Sequence, residues 1–158
     1  MATNSYSILL YHVVFATKNR QQTIHPDHRA RLYQYMAAII KEKGGLPILI
    51  NGTQDHVHVL ACLPRHISIS DSLQAVKGGS SHWYNKEFSS NLPRLYWQSG
   101  YSIFSVSPSM LETVKRYIYR QEEHHANNSL EQELESFDKE LLKYYDPAKH
   151  NAETVPAP

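Results

Sequence analysis

Hydrophobic and polar positions change period several times along the chain. Residues 6–16, YSILLYHVVFA, form a nearly unbroken run of β-branched, aliphatic and aromatic side chains, which predicts a buried strand. Because side chains alternate across a strand, Leu10, His12 and Val14 share one face. The period then lengthens: Leu32, Met36, Ile39 and Ile40 recur at helical spacing between Asp27 and Lys43, with Pro26 suited to the first turn and Gly44-Gly45 as the stop. Two more strand-like runs follow, 46–50 (LPILI) and 56–62 (HVHVLAC), on either side of an Asn51-Gly52 turn signal. The expected connection is residues 51–55, and Pro47 suits an outer strand, where a missing N–H costs no ladder bond.

After Pro64 a second helix is expected from Ser68, which can cap it through Asp71, with Leu73 and Val76 as its buried stripe. Gly78-Gly79 should weaken or bend this helix before Trp83, Tyr84 and Phe88. Residues 101–106, YSIFSV, read as a fourth strand. Ser109 and Glu112 have capping-box spacing for a third helix, on which Val114, Tyr117, Ile118 and Gln121 occupy neighbouring turns. A further helix is expected from near Ser129, with Gln132 as its reciprocal cap and Leu130, Leu134, Phe137 and Leu141 along one side. Residues 146–158 have little to bury and read as a loose tail. The order strand, helix, strand, strand, helix, strand, then helices, predicts an α+β, ferredoxin-like antiparallel sheet covered by helices on one face. Its other face is left for a ligand or a further helix.

Bulk properties add a few bounds. The 158 residues suffice for one domain with a hydrophobic core, and 41% apolar with 20% charged residues is ordinary globular composition. Cys62 is the only cysteine, which excludes an internal disulfide and a cysteine-rich metal site and suits a reducing compartment. The apolar N-terminal run contains His12, is followed by Lys18 and Arg20, and falls short of a membrane span, so a cytoplasmic protein is expected. Net charge is only +1, but residues 1–120 carry 13 Lys and Arg against 6 Asp and Glu, while residues 121–158 carry 3 against 9. A basic body of this kind can attract phosphates even though an acidic C-terminal segment cancels the total.

The chemistry-bearing pattern is His56-Val57-His58 together with Tyr117 and Gln121. Alternation on a strand turns both imidazoles to one face, where they form half of a site for a divalent cation. A lone His-x-His is weak evidence. Tyr117 and Gln121 add to it, because four residues apart on a helix they lie one above the other. A cation held by His56, His58 and the Gln121 amide oxygen would polarise a phosphate within reach of the Tyr117 phenol. Tyr119 projects about 200° away from Tyr117 around the helix and is the poorer nucleophile. Asp55 could orient a histidine or shape the strand entrance. His12 could lie near bound nucleic acid or be a hydrogen-bonded strand histidine, and His124 or His125 could approach the site or lie on a helix surface.

Four segments carry a family resemblance: LYHVVFATKNR at 10–20, NGTQDHVHVLACLP at 51–64, LYWQSGYSIFSVS at 95–107 and VKRYIYRQEEHH at 114–125. Together and in this order, over roughly residues 6–145, they make the chain resemble the single-tyrosine HUH transposases of minimal bacterial insertion sequences and their relatives associated with repetitive extragenic palindromes. The resemblance implies a catalytic domain over 1–145 with a flexible tail over 146–158. It implies a metal pair at His56 and His58, a nucleophile at Tyr117, and a polar ligand at Gln121. It further implies Mg²⁺ or Mn²⁺, hairpin-bearing single-stranded DNA as substrate, a 5′-phosphotyrosine intermediate, a free 3′ hydroxyl, and a homodimer in which tyrosine helices can act in trans. Lys18, Arg20, Lys77, Arg94, Lys115, Arg116 and Arg120 are candidate phosphate contacts, and Trp83 or Trp97 could stack on an unpaired base. The alternative reading is a catalytically inactive hairpin-binding regulator on the same fold. A second alternative is a ferredoxin-like domain unrelated to nucleic acid, whose histidines bind metal adventitiously.

Overall fold

In the computed structural model, residues 4–88, 92–121 and Gln132 are described. The chain divides into two compact units, residues 1–121 and 122–158. In the first, the order is β1 (Leu10–Ala16), α1 (Pro26–Glu42), β2 (Leu46–Gly52), β3 (His56–Cys62), α2 (Ile69–Glu87), β4 (Ser102–Ser105) and α3 (Leu111–Tyr119). Short 3-10 turns at Lys18–Arg20 and Pro108–Met110 precede α1 and α3. The strands form one antiparallel sheet in the order β2-β3-β1-β4, the ferredoxin-like arrangement.

Alternation along β1 and β3 divides the protein into two layers of contacts. Val13, Phe15, Val57, Val59 and Ala61 point to one face, where they pack with Leu32, Met36 and Ile40 of α1 and Leu73 and Val76 of α2. Leu10 and Leu60 point to the other face and meet Ile118 of α3, flanked by Leu111, Val114 and Tyr117. The open face is therefore closed by the tyrosine-bearing helix. Ile118 is fully buried there, and its truncation to alanine should cost about 2–5 kcal/mol.

Several local expectations are corrected. The first strand begins at Leu10, and residues 4–9 are not strand. Asn51 and Gly52 belong to β2, so the connection to β3 is residues 53–55. The reason is close approach: a Cβ on Gly52 would stand 2.2 Å from the His56 carbonyl oxygen and 2.8 Å from the Val57 Cα, a fit only glycine allows. Gly78 and Gly79 do not interrupt α2, which runs unbroken from Ile69 to Glu87. A Cβ on Gly79 would meet Ile39 Cδ1 at 2.8 Å, so the missing side chain lets α1 and α2 pack closely. Ser109 and Glu112 form no capping box; Ser109 Oγ shares a hydrogen bond with Ser107 Oγ, and α3 starts at Leu111 after the 3-10 turn. Ser68 does cap α2, accepting from the Asp71 N–H over 3.0 Å, and Pro47 lies on edge strand β2 beside an irregularity in register. The expected helix near Ser129, the boundary at 145, the tail and His124 and His125 lie outside the described residues; Gln132 alone is described, helical and exposed.

Candidate active site

β1 and β3 place His12, His56 and His58 on the face that α3 covers. The ladder sets Ala16 opposite His56, Val14 opposite His58 and His12 opposite Leu60, so His12 and His58 are diagonal neighbours. All three histidines are buried, as is Gln121 at 0% exposure. The Tyr117 ring lies 6.0 Å from the His58 ring and 6.0 Å from the His12 ring, edge-on to both. Tyr117 and the histidine pair thus come together within a single chain. Tyr119 is 76% exposed and turns away, as the helical angle requires.

Each histidine of the pair is held by its Nδ1. His56 Nδ1 is 2.7 Å from Asp55 Oδ1 and 2.9 Å from Thr53 Oγ1; His58 Nδ1 is 2.8 Å from His12 Nε2. The Nε2 atoms of both rings, and the Tyr117 hydroxyl, are buried. A ring anchored through one nitrogen presents the other, which is how ligating histidines are commonly oriented. Gln121 does not continue α3 as its spacing predicts: the helix ends at Tyr119, the Arg120 cap has φ −94° and ψ 20°, and Gln121 follows it with its amide nitrogen 3.5 Å from the Tyr117 carbonyl oxygen. Among the described residues, no group of three His, Cys, Asp or Glu side chains converges as a metal site. The two imidazoles, on one face of β3, are a donor pair that suits a divalent cation whose remaining coordination comes from other groups.

Electrostatics reinforce this scaffold. Burial raises the Asp55 pKa, but hydrogen bonds from His56 and Thr53 and electrostatic attraction to His56 and the Arg20 guanidinium outweigh it and hold the carboxyl well below the usual range. Burial pushes the His12 pKa down to about 4, keeping the ring neutral near pH 7. Arg20 reaches Asp55 Oδ2 through Nε at 3.2 Å and a terminal nitrogen at 3.1 Å. Its backbone is left-handed, φ 55°, as is that of Asn19, φ 56°. Non-glycine residues adopt that region at a cost on the order of 1 kcal/mol each. The strained TKNR turn thereby aims Arg20 at the carboxylate behind His56.

The candidate phosphate contacts separate by environment. Lys18, Arg94, Arg116 and Arg120 are exposed. Arg20 is paired with Asp55, and Lys115 lies 3.3 Å from Glu112. The Lys77 ammonium donates to the carbonyls of Gln98 and Gly100 at 2.7 and 2.6 Å, which commits it to bracing the segment before β4. Trp83 is stacked on Tyr35 with centroids 4.6 Å apart, and Trp97 donates to Ser80 Oγ over 3.1 Å while packing edge-on against Phe15. Both tryptophans therefore have structural work within the chain. The sequence reading missed Asn51 as an anchor of α3: its Nδ2 donates to the Ile118 and Tyr119 carbonyls at 2.9 and 3.2 Å. No local signal distinguishes this Asn from a turn former, because its partners lie 67 and 68 residues away.

The fold is thus a ferredoxin-like sheet bearing a strand His-x-His, with a helical tyrosine lodged over it. The family described as "Transposase IS200 like" matches residues 5–121, so the chain belongs to the IS200-like transposases and is a DNA transposase. The transposases of insertion sequence element IS200 from Salmonella typhimurium and Salmonella typhi are each 26% identical over 115 residues, covering 70% of this chain and 75% of theirs. Among solved structures, a protein of Deinococcus radiodurans R1 assigned as a transposase matches with TM-score 0.60 and 23% identity, covering 77% of this chain and 96% of that one. A REP-associated tyrosine transposase bound to a REP hairpin matches with TM-score 0.58 and 14% identity, covering 79% of this chain and 74% of that one. At these identities the two structures speak for the fold. No described helix is long and apolar enough to cross a membrane.

Proposed function

We propose that this transposase is a metal-dependent endonuclease and strand transferase for single-stranded, hairpin-bearing DNA, working through a 5′-phosphotyrosine intermediate. The observation that carries the reading is the lodging of the Tyr117 ring 6.0 Å from the ring of His58, with the Tyr117 hydroxyl and both histidine Nε2 atoms buried. His56, His58 and Gln121 would hold Mg²⁺ or Mn²⁺. Once bound, the cation would supply Lewis-acid polarisation of the scissile phosphate.

Tyr117 is the group whose bonding changes. Its phenol loses a proton, the phenolate oxygen attacks phosphorus, and the bond from phosphorus to the 3′ oxygen breaks, that oxygen leaving as a hydroxyl once protonated. A phosphodiester is exchanged for a phosphotyrosine of similar energy, so an incoming 3′ hydroxyl can reverse the step on another strand and restore the phenol. An ordinary phenol ionises near pH 10, so the buried site has to stabilise the phenolate or accept its proton. Of the candidate contacts, Lys18, Arg94, Arg116 and Arg120 are exposed and would meet phosphate. A homodimer is part of the proposal, with the tyrosine helix serving its own chain as packed here or a partner after exchange. Cytoplasmic action follows from the substrate.

The test is incubation with a labelled library of single-stranded hairpins and Mg²⁺ or Mn²⁺, followed by denaturing gels and peptide mapping. An EDTA-sensitive adduct on Tyr117 is expected. Hairpin binding without any adduct would instead support the non-catalytic regulator.

A further inference from the structure

We propose that His12 is a positioning residue that decides which nitrogen of His58 can take a ligand. The inference rests on the reading above, in which His58 is a metal ligand, and adds a partner to that site that touches neither cation nor DNA.

The two histidines of the pair are anchored by chemically different groups. His56 Nδ1 faces the Asp55 carboxylate at 2.7 Å, and an ionised carboxylate only accepts. That contact fixes the proton of His56 on Nδ1 and leaves the lone pair on Nε2. His58 Nδ1 faces another imidazole nitrogen, His12 Nε2, at 2.8 Å. A neutral imidazole nitrogen is either donor or acceptor, so this bond has two polarities. When His12 donates, His58 keeps its proton on Nε2, where it blocks ligation. When His58 donates, its Nε2 carries the lone pair.

Loading His58 through Nε2 therefore requires both rings to change together. The His58 proton must sit on Nδ1, and His12 must carry its own proton on Nδ1 so that its Nε2 accepts. The geometry favours concerted behaviour, since the rings meet nitrogen to nitrogen at 2.8 Å with an interplanar angle of only 24°, so one proton serves the bond between them. Cross-strand register between β1 and β3 sets that separation. An apolar side chain at position 12 would fill the space and leave the His58 tautomer unselected. Glutamine could restore an acceptor, because its amide oxygen can reach the place of an imidazole Nε2.

The experiment uses the full chain, labelled with ¹⁵N-histidine, titrated with Mg²⁺ alone and followed by long-range ¹H–¹⁵N correlation. Saturation should show His58 protonated on Nδ1 and His12 Nε2 as an unprotonated acceptor. In parallel, Mn²⁺ affinity is measured by electron paramagnetic resonance for wild type, His12→Leu and His12→Gln, with thermal unfolding as the folding control. His12→Leu should bind Mn²⁺ about 10- to 100-fold more weakly, with His12→Gln recovering most of the loss. A His58 response with His12 Nε2 still protonated, or equal affinity in a folded His12→Leu chain, overturns the positioning role alone. No response of His58 to either cation overturns it together with the metal reading. Neither readout requires cleavage, so failure of strand transfer is separately visible.

Discussion

Asn51, on edge strand β2, donates its side-chain N–H to the Ile118 carbonyl near the end of α3 over 2.9 Å, and reaches the next carbonyl, of Tyr119, at 3.2 Å. Helix C-termini leave carbonyls without intrahelical donors, and here a side chain from the sheet supplies one. The consequence is that the turn carrying Tyr117 is tied to the strand paired with His58, opposite which Asn51 stands in register. Replacing Asn51 with Ala should cost about 1–2 kcal/mol of stability. It should slow adduct formation more than it weakens hairpin binding. Thermal unfolding and single-turnover cleavage, run beside a binding titration, check this; an unchanged cleavage rate would show that packing alone places the helix.

Tyr117→Phe should abolish the covalent adduct while leaving the fold intact, because only a hydroxyl is removed from a ring that packs against Leu10, Leu60 and Ile118. Tyr119→Phe should leave adduct yield unchanged, since that ring is 76% exposed. Peptide mapping of both variants decides the assignment: an adduct surviving in Tyr117→Phe would transfer the nucleophile elsewhere.

Asp55→Asn should weaken the metal response about 10- to 100-fold, the usual effect of removing a partner that orients a ligating histidine. The amide can still contact His56, but it no longer forces the proton onto Nδ1 and no longer pairs with Arg20 as a charge. Mn²⁺ titration of strand cleavage measures the shift. A dependence identical to wild type would mean that the carboxylate serves the fold only.

Stability should fall as pH drops from about 6.5 toward 4 because the unfolded chain takes up a proton on His12 that the buried native ring resists. The contribution is present above the unfolded pKa of 6.5 and lost progressively on acidification to the folded value of about 4, roughly 3 kcal/mol in all. Asp55, with its pKa held low, adds a loss at still lower pH, starting below its ordinary value of 3.8. Denaturant midpoints against pH should therefore slope less between 6.5 and 4 in His12→Leu. A slope equal to that of wild type would place the acid sensitivity in other groups.

Two glycines should respond oppositely to alanine. Gly52→Ala sets a Cβ 2.2 Å from the His56 carbonyl oxygen, so the β2–β3 hairpin must open beside the histidine pair, with a loss of 3 kcal/mol or more, about the upper range for single substitutions. Gly78→Ala meets nothing within 4 Å and should stabilise α2 by about 1 kcal/mol through helix propensity. Chemical denaturation of both variants tests the pair.

Periodicity along the chain was enough to determine the succession of strands and helices, the common face of His56 and His58, and the placing of Tyr117 on a helix. These are consequences of alternation and helical pitch, which act over a few residues. The four segments were also sufficient to point to the transposase family. Endpoints were less legible: Gly52 lengthens β2 because of a close approach by His56 and Val57, and the paired glycines sit inside α2 because Ile39 packs against one of them. Neither neighbour is visible in a local pattern.

Tertiary structure alone decided what stands behind the histidines. His12 meets His58 across 46 residues, Arg20 meets Asp55 across 35, and Asn51 meets Ile118 across 67. It also gave Lys77 two carbonyl partners, of Gln98 and Gly100. Such roles depend on which polar groups the folded sheet brings within about 3 Å, and hydrogen bonding over that distance is set by register and packing, to which residue type adds only the capacity to donate or accept.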